Sequence, residues 1–411
     1  MYANSVVCRS CGEVYPIGDY YRCPKCGGIM EIKYDDSKLL RRENILSPEP
    51  ELSGMWKYHH MLPVRHAENI VSLCEGDTPL IKADASAAAF GMNCRLYIKA
   101  EMFNPSGSFK DRPSSVGVSV AKEHGHRAVI VASSGNASAA VSCYAARAGI
   151  PCAVLIPAST DPGKVAQALA YGAKVFSVRG TFSDAFNLSV EISEHFQLPN
   201  ITSTFYNPYT VEGDKTIAYE LYSQLGHVPD YIVVPIGTGP LLVGVYKGFC
   251  ELMRMGLIDS MPRMIGVQSS NCCPIVDAFE QGLDRVEPWL GECKTVAGGI
   301  ADPLVGYEAD GELTLSVVRQ SGGAFVAVSD AEVLAATAVI QEREGIYCEP
   351  TGATTLCGAH KLFASGVIRT DSSVVLLCTG HGFKYSGHAD PSNKIIDYSS
   401  TGQVAEILSI K

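Results

Sequence analysis

From about residue 76 onward, short apolar runs alternate with longer stretches of helical periodicity. The runs at 95–101, 128–134, 152–158, 174–180, 231–237, 263–269 and 374–380 are rich in Val and Ile and show no polar alternation. That pattern predicts strands buried on both faces. Between them, apolar positions recur at helical spacing over 110–124, 136–148, 162–172, 183–196, 213–225, 241–256, 329–344 and 352–365. Two helix starts are explicit: Asp161 precedes Pro162 at a first helical position, and Ser329-Asp330 opens another. Regular strand–helix alternation predicts an α/β fold with parallel sheets covered on both faces. No internal repeat or low-complexity tract interrupts it.

The first 75 residues break this pattern. Residues 1–34 hold two C-x-x-C pairs, Cys8/Cys11 and Cys23/Cys26, each running into glycine. Each pair can set two thiolates on a tight turn, and four thiolates satisfy tetrahedral zinc. The intervening residues are long enough for a hairpin, so a zinc-ribbon-like module with a structural zinc ion is expected. Residues 35–75 are Pro-punctuated and carry Trp56, Tyr58, His59 and His60, an aromatic cluster that predicts an ordered arm laid over the main body. The adjacent histidines read as packing or solvent-edge residues.

Composition narrows the class of function. The 411 residues carry 33 basic and 43 acidic side chains, a formal net charge of −10. That balance argues against nucleic acid, whose phosphates require basic stripes. Hydrophobic residues make up 46% and charged residues 18%, which excludes disorder as the main state. There is no unbroken apolar run of membrane-spanning length and no secretory leader, so no membrane partner and a cytoplasmic location are expected. The cysteines outside the N-terminal four read as reduced thiols.

Three loops at strand ends carry the chemistry, the edge where ligands of open α/β sheets collect. NPSGSFKDRPSS (104–115) places Lys110 between Phe109 and Asp111. ASSGNASAA (132–140) turns into a helix through Ser133, Ser134, Gly135 and Asn136, whose small side chains let N–H groups converge on an anion. PIGTGPLLVG (235–244) sets Gly237 and Gly239 ahead of a helix, a phosphate cradle without a Walker or G-x-G-x-x-G spacing. An amine nucleophile, a carboxylate nest and a phosphate nest together match what pyridoxal phosphate requires.

The motifs PSGSFKDR, SSGNASA, EGDTPL (75–80), NPYTVEGDKTIAYE (207–220), EPTGATTLCG (349–358) and CTGHGFK (378–384) resemble the threonine synthase family of tryptophan-synthase-β-like pyridoxal phosphate enzymes. The resemblance spans about 75–385 in order, and some members carry a similar N-terminal ribbon. It implies two doubly wound domains with the cofactor between them. The expected division is 1–34 for the ribbon, 35–105 for the arm and part of the large domain, 106–210 for the small domain and 211–411 for the large cofactor-binding domain. The resemblance also implies a homo-oligomer, by analogy a dimer, and a small amino-acid substrate.

By the same resemblance, Lys110 forms the Schiff base with the cofactor and shuttles protons, and Asn136 bonds the ring oxygen. Thr379 faces the pyridine nitrogen, and Phe109 packs beside the ring. Gly237, Thr238, Gly239 and Leu241 hold the phosphate, Pro240 having no N–H to give. Ser133, Ser134, Gly135 and Ala137 hold the substrate carboxylate. The expected activity is elimination or replacement at Cβ or Cγ of an amino acid. The chain departs from the family at Thr210, in place of an Arg that grips substrate phosphate, and at Phe205, in place of a Ser. Asp214 replaces a Gln, and Pro113 a Gly. A distal pocket lined by Thr210 and Phe205 would take O-phosphohomoserine poorly. The alternative is then β-replacement or β-elimination on a serine- or phosphoserine-type substrate, as in cysteate synthases or dehydratases.

Overall fold

The computed structural model describes residues 2–385; residues 386–411, the end of the expected 211–411 domain, lie outside them. Strands are numbered β1 (Ala3–Cys8), β2 (Val14–Pro16), β3 (Met30–Tyr34), β4 (Leu80–Lys82), β5 (Arg95–Ala100), β6 (Val129–Ala132), β7 (Cys152–Pro157), β8 (Lys174–Val178), β9 (Tyr231–Pro235), β10 (Arg263–Ser269), β11 (Ala324–Val328) and β12 (Ser373–Cys378). They form three sheets, ordered β2-β1-β3, β11-β10-β9-β12-β5-β4 and β6-β7-β8. The fold is α/β. The six-stranded sheet is parallel except for β4 at its edge, and the β6-β7-β8 sheet is wholly parallel.

The apolar runs form strands because helices cover the sheets. Every residue of β6, β9 and β12 is buried. The predicted helix starts also have their side-chain caps. Asp161 accepts from the Gly163 N–H at 2.8 Å, and Ser329 and Glu332 form a reciprocal capping box. One strand departs from expectation. Run 174–180 was expected to be buried on both faces, but β8 is an edge strand with Lys174 and Ser177 exposed and Phe176 52% exposed. Where 213–225 predicts one helix, the chain has Val211–Asp214 and Thr216–Leu225, broken at Lys215.

Sequence periodicity does not reveal β11 or the helices Asp84–Ala89, Pro274–Glu280 and Glu308–Gln320. The strand follows Gly322-Gly323, and the last helix mixes Gly311 and polar residues into its buried face.

The antiparallel β1–β3 module docks on the main body through polar contacts. Tyr34 donates to Glu212 at 2.7 Å, and Lys247 bridges Glu212 at 2.6 Å and the Ile32 carbonyl at 3.0 Å. Asp19 pairs with His124 at 2.8 Å and His126 at 2.9 Å, at the far end of the helix that follows Lys110. Behind the module lies a cavity of about 540 Å³ against the helices Val211–Asp214, Pro240–Arg254 and Glu308–Gln320. The arm behaves as its aromatics predict. Trp56 is buried and donates to Glu75 at 2.7 Å and Ser115 at 2.8 Å, and buried His59 contacts the Val64 carbonyl at 2.8 Å. No helix among the described residues is long and apolar enough to cross a membrane.

Candidate active site

Three neighbouring strands, β9, β12 and β5, end side by side, and their carboxyl-end loops meet. The loop after β5 carries Lys110 and is held from both sides. The Phe109 N–H donates to the Thr379 carbonyl at 3.0 Å, and the His381 N–H to the Gly107 carbonyl at 2.9 Å. Asp111 closes the turn by accepting from the Ser106 N–H at 2.9 Å and its hydroxyl at 2.6 Å. Arg112 is fully buried, with Nε on Glu101 at 2.8 Å and Nη1 on Glu220 at 2.6 Å. Lys99 donates to Glu220 at 2.6 Å. Two cations therefore meet two carboxylates, and this neutral, fully bonded network fixes the turn that presents Lys110.

Lys110 itself is half-buried, its ammonium 4.1 Å from the centre of the Phe109 ring and donating to Ser203 Oγ. Burial lowers its basicity, while Asp214, Asp302 and Glu349 act to raise it. The carboxyls respond in kind. Burial pushes Glu349 up to about 7, against Lys384, the Asn136 hydrogen bond and Lys110. Burial likewise raises Asp302, opposed by its bond from Tyr307 at 2.7 Å.

The other loops converge on this amine. Ser133, Ser134, Gly135 and Asn136 are half-buried and lead into the helix Asn136–Ala148, while Ala137 is buried in its first turn. That helix start has no side-chain cap, which leaves its N–H groups available to an anion. Asn136 donates to Glu349 at 2.9 Å. After β9, Gly239 has φ +103° and opens the helix Pro240–Arg254, again uncapped. A Cβ on Gly239 would lie 2.3 Å from Thr314 Oγ1, so this cradle admits only glycine. Thr314 fixes the cradle by donating to the Thr238 carbonyl at 2.6 Å.

Pyridoxal phosphate fits these residues on two observations. Thr379 is 2% exposed and its Oγ1 has no hydrogen-bond partner among the described residues, which is the state expected of a hydroxyl awaiting a ring nitrogen. The Gly237–Leu241 turn offers backbone N–H groups and a helix N-terminus to a phosphate. Asn136 would exchange its bond to Glu349 for the ring oxygen.

Fold and site thus define an α/β enzyme with a lysine and an anion cradle at adjoining strand ends. The family described as "Pyridoxal-phosphate dependent enzyme" matches residues 71–380, and the chain belongs to that family. Threonine synthase of Methanosarcina acetivorans is 41% identical, with 92% of this chain and 91% of that protein covered. The threonine synthase of Methanocaldococcus jannaschii is 38% identical, with 92% of each covered. The chain is a threonine synthase-like enzyme, a lyase working by elimination and replacement. Two solved structures share the fold. Threonine deaminase isoform 2 from Solanum lycopersicum has TM-score 0.65 at 22% identity over 92% of this chain and 95% of its own. Maize serine racemase has TM-score 0.62 at 23% identity over 81% and 91%.

The structure separates the departures from one another. Phe205 lines the cavity behind the N-terminal module rather than the cleft, and its N–H donates to Asp310 at 2.9 Å. Thr210 is 2% exposed, donates to the Asn207 carbonyl at 2.9 Å and abuts Gly117. An arginine at 210 would overpack that contact, so the expected distal pocket of Thr210 and Phe205 is corrected. Lys215 is likewise turned away, paired with Glu212 at 2.8 Å and Glu251 at 3.1 Å. Sequence reasoning missed Ser203, Asp302 and Glu349 as neighbours of Lys110. Glu349 opens the EPTG motif and could have been singled out there, whereas Asp302 lies in an irregular stretch without a periodic signal.

In the N-terminal module, the four thiols approach one another, Cys8 Sγ to Cys26 Sγ at 3.5 Å and Cys11 Sγ to Cys23 Sγ at 3.7 Å. Each C-x-x-C turn is closed by a backbone bond, Gly12 N–H to the Cys8 carbonyl at 3.0 Å and Gly27 N–H to the Cys23 carbonyl at 2.8 Å.

Proposed function

We propose that this chain replaces a leaving group at Cβ or Cγ of a small amino acid, with O-phosphohomoserine the first substrate to test. The observation that carries the reading is the meeting of Lys110, unpartnered Thr379 Oγ1 and the Gly239 cradle at adjoining strand ends. Bound pyridoxal phosphate supplies the electron sink. Lys110 would hold it and would take and return protons at Nζ, eased by burial that favours the free amine. Thr379 Oγ1 meets the ring nitrogen, Asn136 the ring oxygen, and Phe109 packs beside the ring. Gly237, Thr238, Gly239 and Leu241 bind the phosphate; Ser133, Ser134, Gly135 and Ala137 orient the substrate carboxylate.

The names of the relatives favour threonine formation over the serine-type alternatives. The test is threonine formation from O-phosphohomoserine by the cofactor-loaded protein, beside O-phosphoserine and serine. A kcat/KM of about 10⁴ M⁻¹s⁻¹ or more supports threonine formation. Turnover of O-phosphoserine alone would replace it with the serine-type reaction.

The same proposal includes structural zinc at Cys8, Cys11, Cys23 and Cys26, supported by the convergence of their thiols. It also includes a homodimer and the division into 1–34, 35–105, 106–210 and 211–411. Metal analysis of protein purified without chelator checks the zinc, and light scattering the dimer.

A further inference from the structure

Asp214 lies where the lysine turn and the cradle helix meet. The helix Val211–Asp214 packs so closely on the Lys110 turn that a Cβ on Gly213 would stand 2.4 Å from the Arg112 carbonyl oxygen. On its other side, a Cβ on Gly244, one turn beyond the cradle, would stand 2.7 Å from Asp214 Cβ. The carboxyl between these two elements is 1% exposed, and its Oδ1 has no hydrogen-bond partner among the described residues. A buried carboxyl oxygen left without a donor is expensive, so its persistence calls for a function.

The charged groups that act electrostatically on the Asp214 carboxyl are Lys110, Arg112 and Glu101. Arg112 is committed: its nitrogens already bond Glu101, Glu220, Thr216 and Thr78. Glu101 is an anion occupied by Arg112 and by Thr78 at 2.7 Å. Lys110 is the cation left over. The groups facing Lys110 are Asp214, Asp302 and Glu349. In the cofactor-free protein two of these are engaged, since Asp302 Oδ1 accepts from Tyr307 and from the Leu304 N–H at 3.2 Å, and Glu349 accepts from Asn136.

We propose that Asp214 is the proton partner of Lys110, taking the proton that Lys110 must shed before its nitrogen can act as nucleophile or base, and giving it back afterwards. The exchange balances within the cleft: ammonium and carboxylate become amine and carboxylic acid, and no net charge leaves. In the resting arrangement Lys110 donates to Ser203, so the transfer takes a side-chain rotation or one bridging water. Burial raises Asp214 and lowers Lys110, which draws the two proton affinities toward each other. Asp214 acts through Lys110 and is a positioning residue.

The inference rests on the assignment of Lys110 as the cofactor lysine, and its test separates the two. The full chain, stripped of cofactor, is labelled with acetic anhydride across pH, and the Lys110 peptide is quantified by mass spectrometry. Asp214→Asn, which is isosteric, should lower the labelling midpoint by at least about one unit, giving about tenfold more Lys110 labelling below the midpoint. Asp302→Asn should move it less. An unchanged midpoint in folded Asp214→Asn protein, checked by circular dichroism, would overturn the proposal, as would a larger shift in Asp302→Asn. Borohydride trapping of pyridoxal phosphate on a residue other than Lys110 would instead sink the cofactor assignment and leave the labelling result standing.

Discussion

Lys110 and Arg112 are two residues apart, yet their surroundings are opposite. Around Arg112 every charge is answered: it and Lys99 meet Glu101 and Glu220 with no exposed surface on any pair member beyond 1%. Around Lys110 the polar groups are left wanting. Thr379 Oγ1, Asp214 Oδ1 and Ser108 Oγ are buried without partners among the described residues, and the carboxyls Asp302 and Glu349 are raised by burial. The satisfied network supplies rigidity, and the unsatisfied one supplies reactivity.

The contrast breaks first at Lys110. Lys110→Ala should leave fold and stability close to the parent while turnover falls by about 10³-fold or more, since both covalent attachment and proton transfer lose their group. The loaded variant should also lose the visible band that borohydride bleaches. Retained turnover would refute the assignment of Lys110.

Arg112→Met should do the reverse. It leaves Glu220 paired with Lys99 alone and strips Glu101 of its cation, and removing one partner of such a network costs about 3–5 kcal/mol. A large fall in the urea midpoint is expected, with activity lost in proportion to unfolded protein. A variant as stable as the parent would show that the network is not what fixes the turn.

Much of this contrast was legible beforehand. The strands and helices of the α/β body follow from apolar runs and explicit caps, because burial on both faces leaves a strong mark in Val and Ile content. The cleft residues Lys110, Asn136 and Thr379 sit in motifs at strand ends, where topology alone brings them together. What escaped were contacts between segments distant in the chain. Ser203 touches Lys110 across 93 positions, and Asn136 donates to Glu349 across 213. The reading of Thr210 and Phe205 failed for a related reason. They stand at positions where the family grips substrate phosphate, but that correspondence carries no side-chain direction: Thr210 bonds the Asn207 carbonyl and Phe205 lines the cavity behind the N-terminal module.

Glu349 tests the electrostatic half of the comparison. Its carboxyl is raised from 4.5 to about 7, so the folded state binds its proton more tightly than the unfolded chain. The stabilisation from that proton is complete below about 4.5 and is lost as pH rises through about 7. Glu349→Gln should remove this slope, making urea midpoints at pH 5 and pH 7.5 more alike, by an amount on the order of 2 kcal/mol. A slope identical to the parent's would mean that Glu349 titrates normally.

The smallest effect on turnover is expected in the N-terminal module. Cys23 is 3% exposed and its thiol lies among three others, an arrangement that leaves no open coordination position for a substrate. The module touches the active-site elements through Asp19 with His124 and His126, at the end of the Lys110 helix remote from the cleft, through Tyr34 with Glu212, and through the Ile32 carbonyl with Lys247 of the cradle helix. With the zinc proposed above in place, Cys23→Ser should release it and lower the thermal midpoint, because metal binding and folding of such a module are coupled. At a temperature where the variant is folded, kcat should stay within about twofold of the parent, a shift of less than about 0.5 kcal/mol in the barrier. A tenfold fall in kcat with an unchanged melting curve would mean that the module reaches the chemistry through these contacts, and the separation drawn between module and cleft would fail.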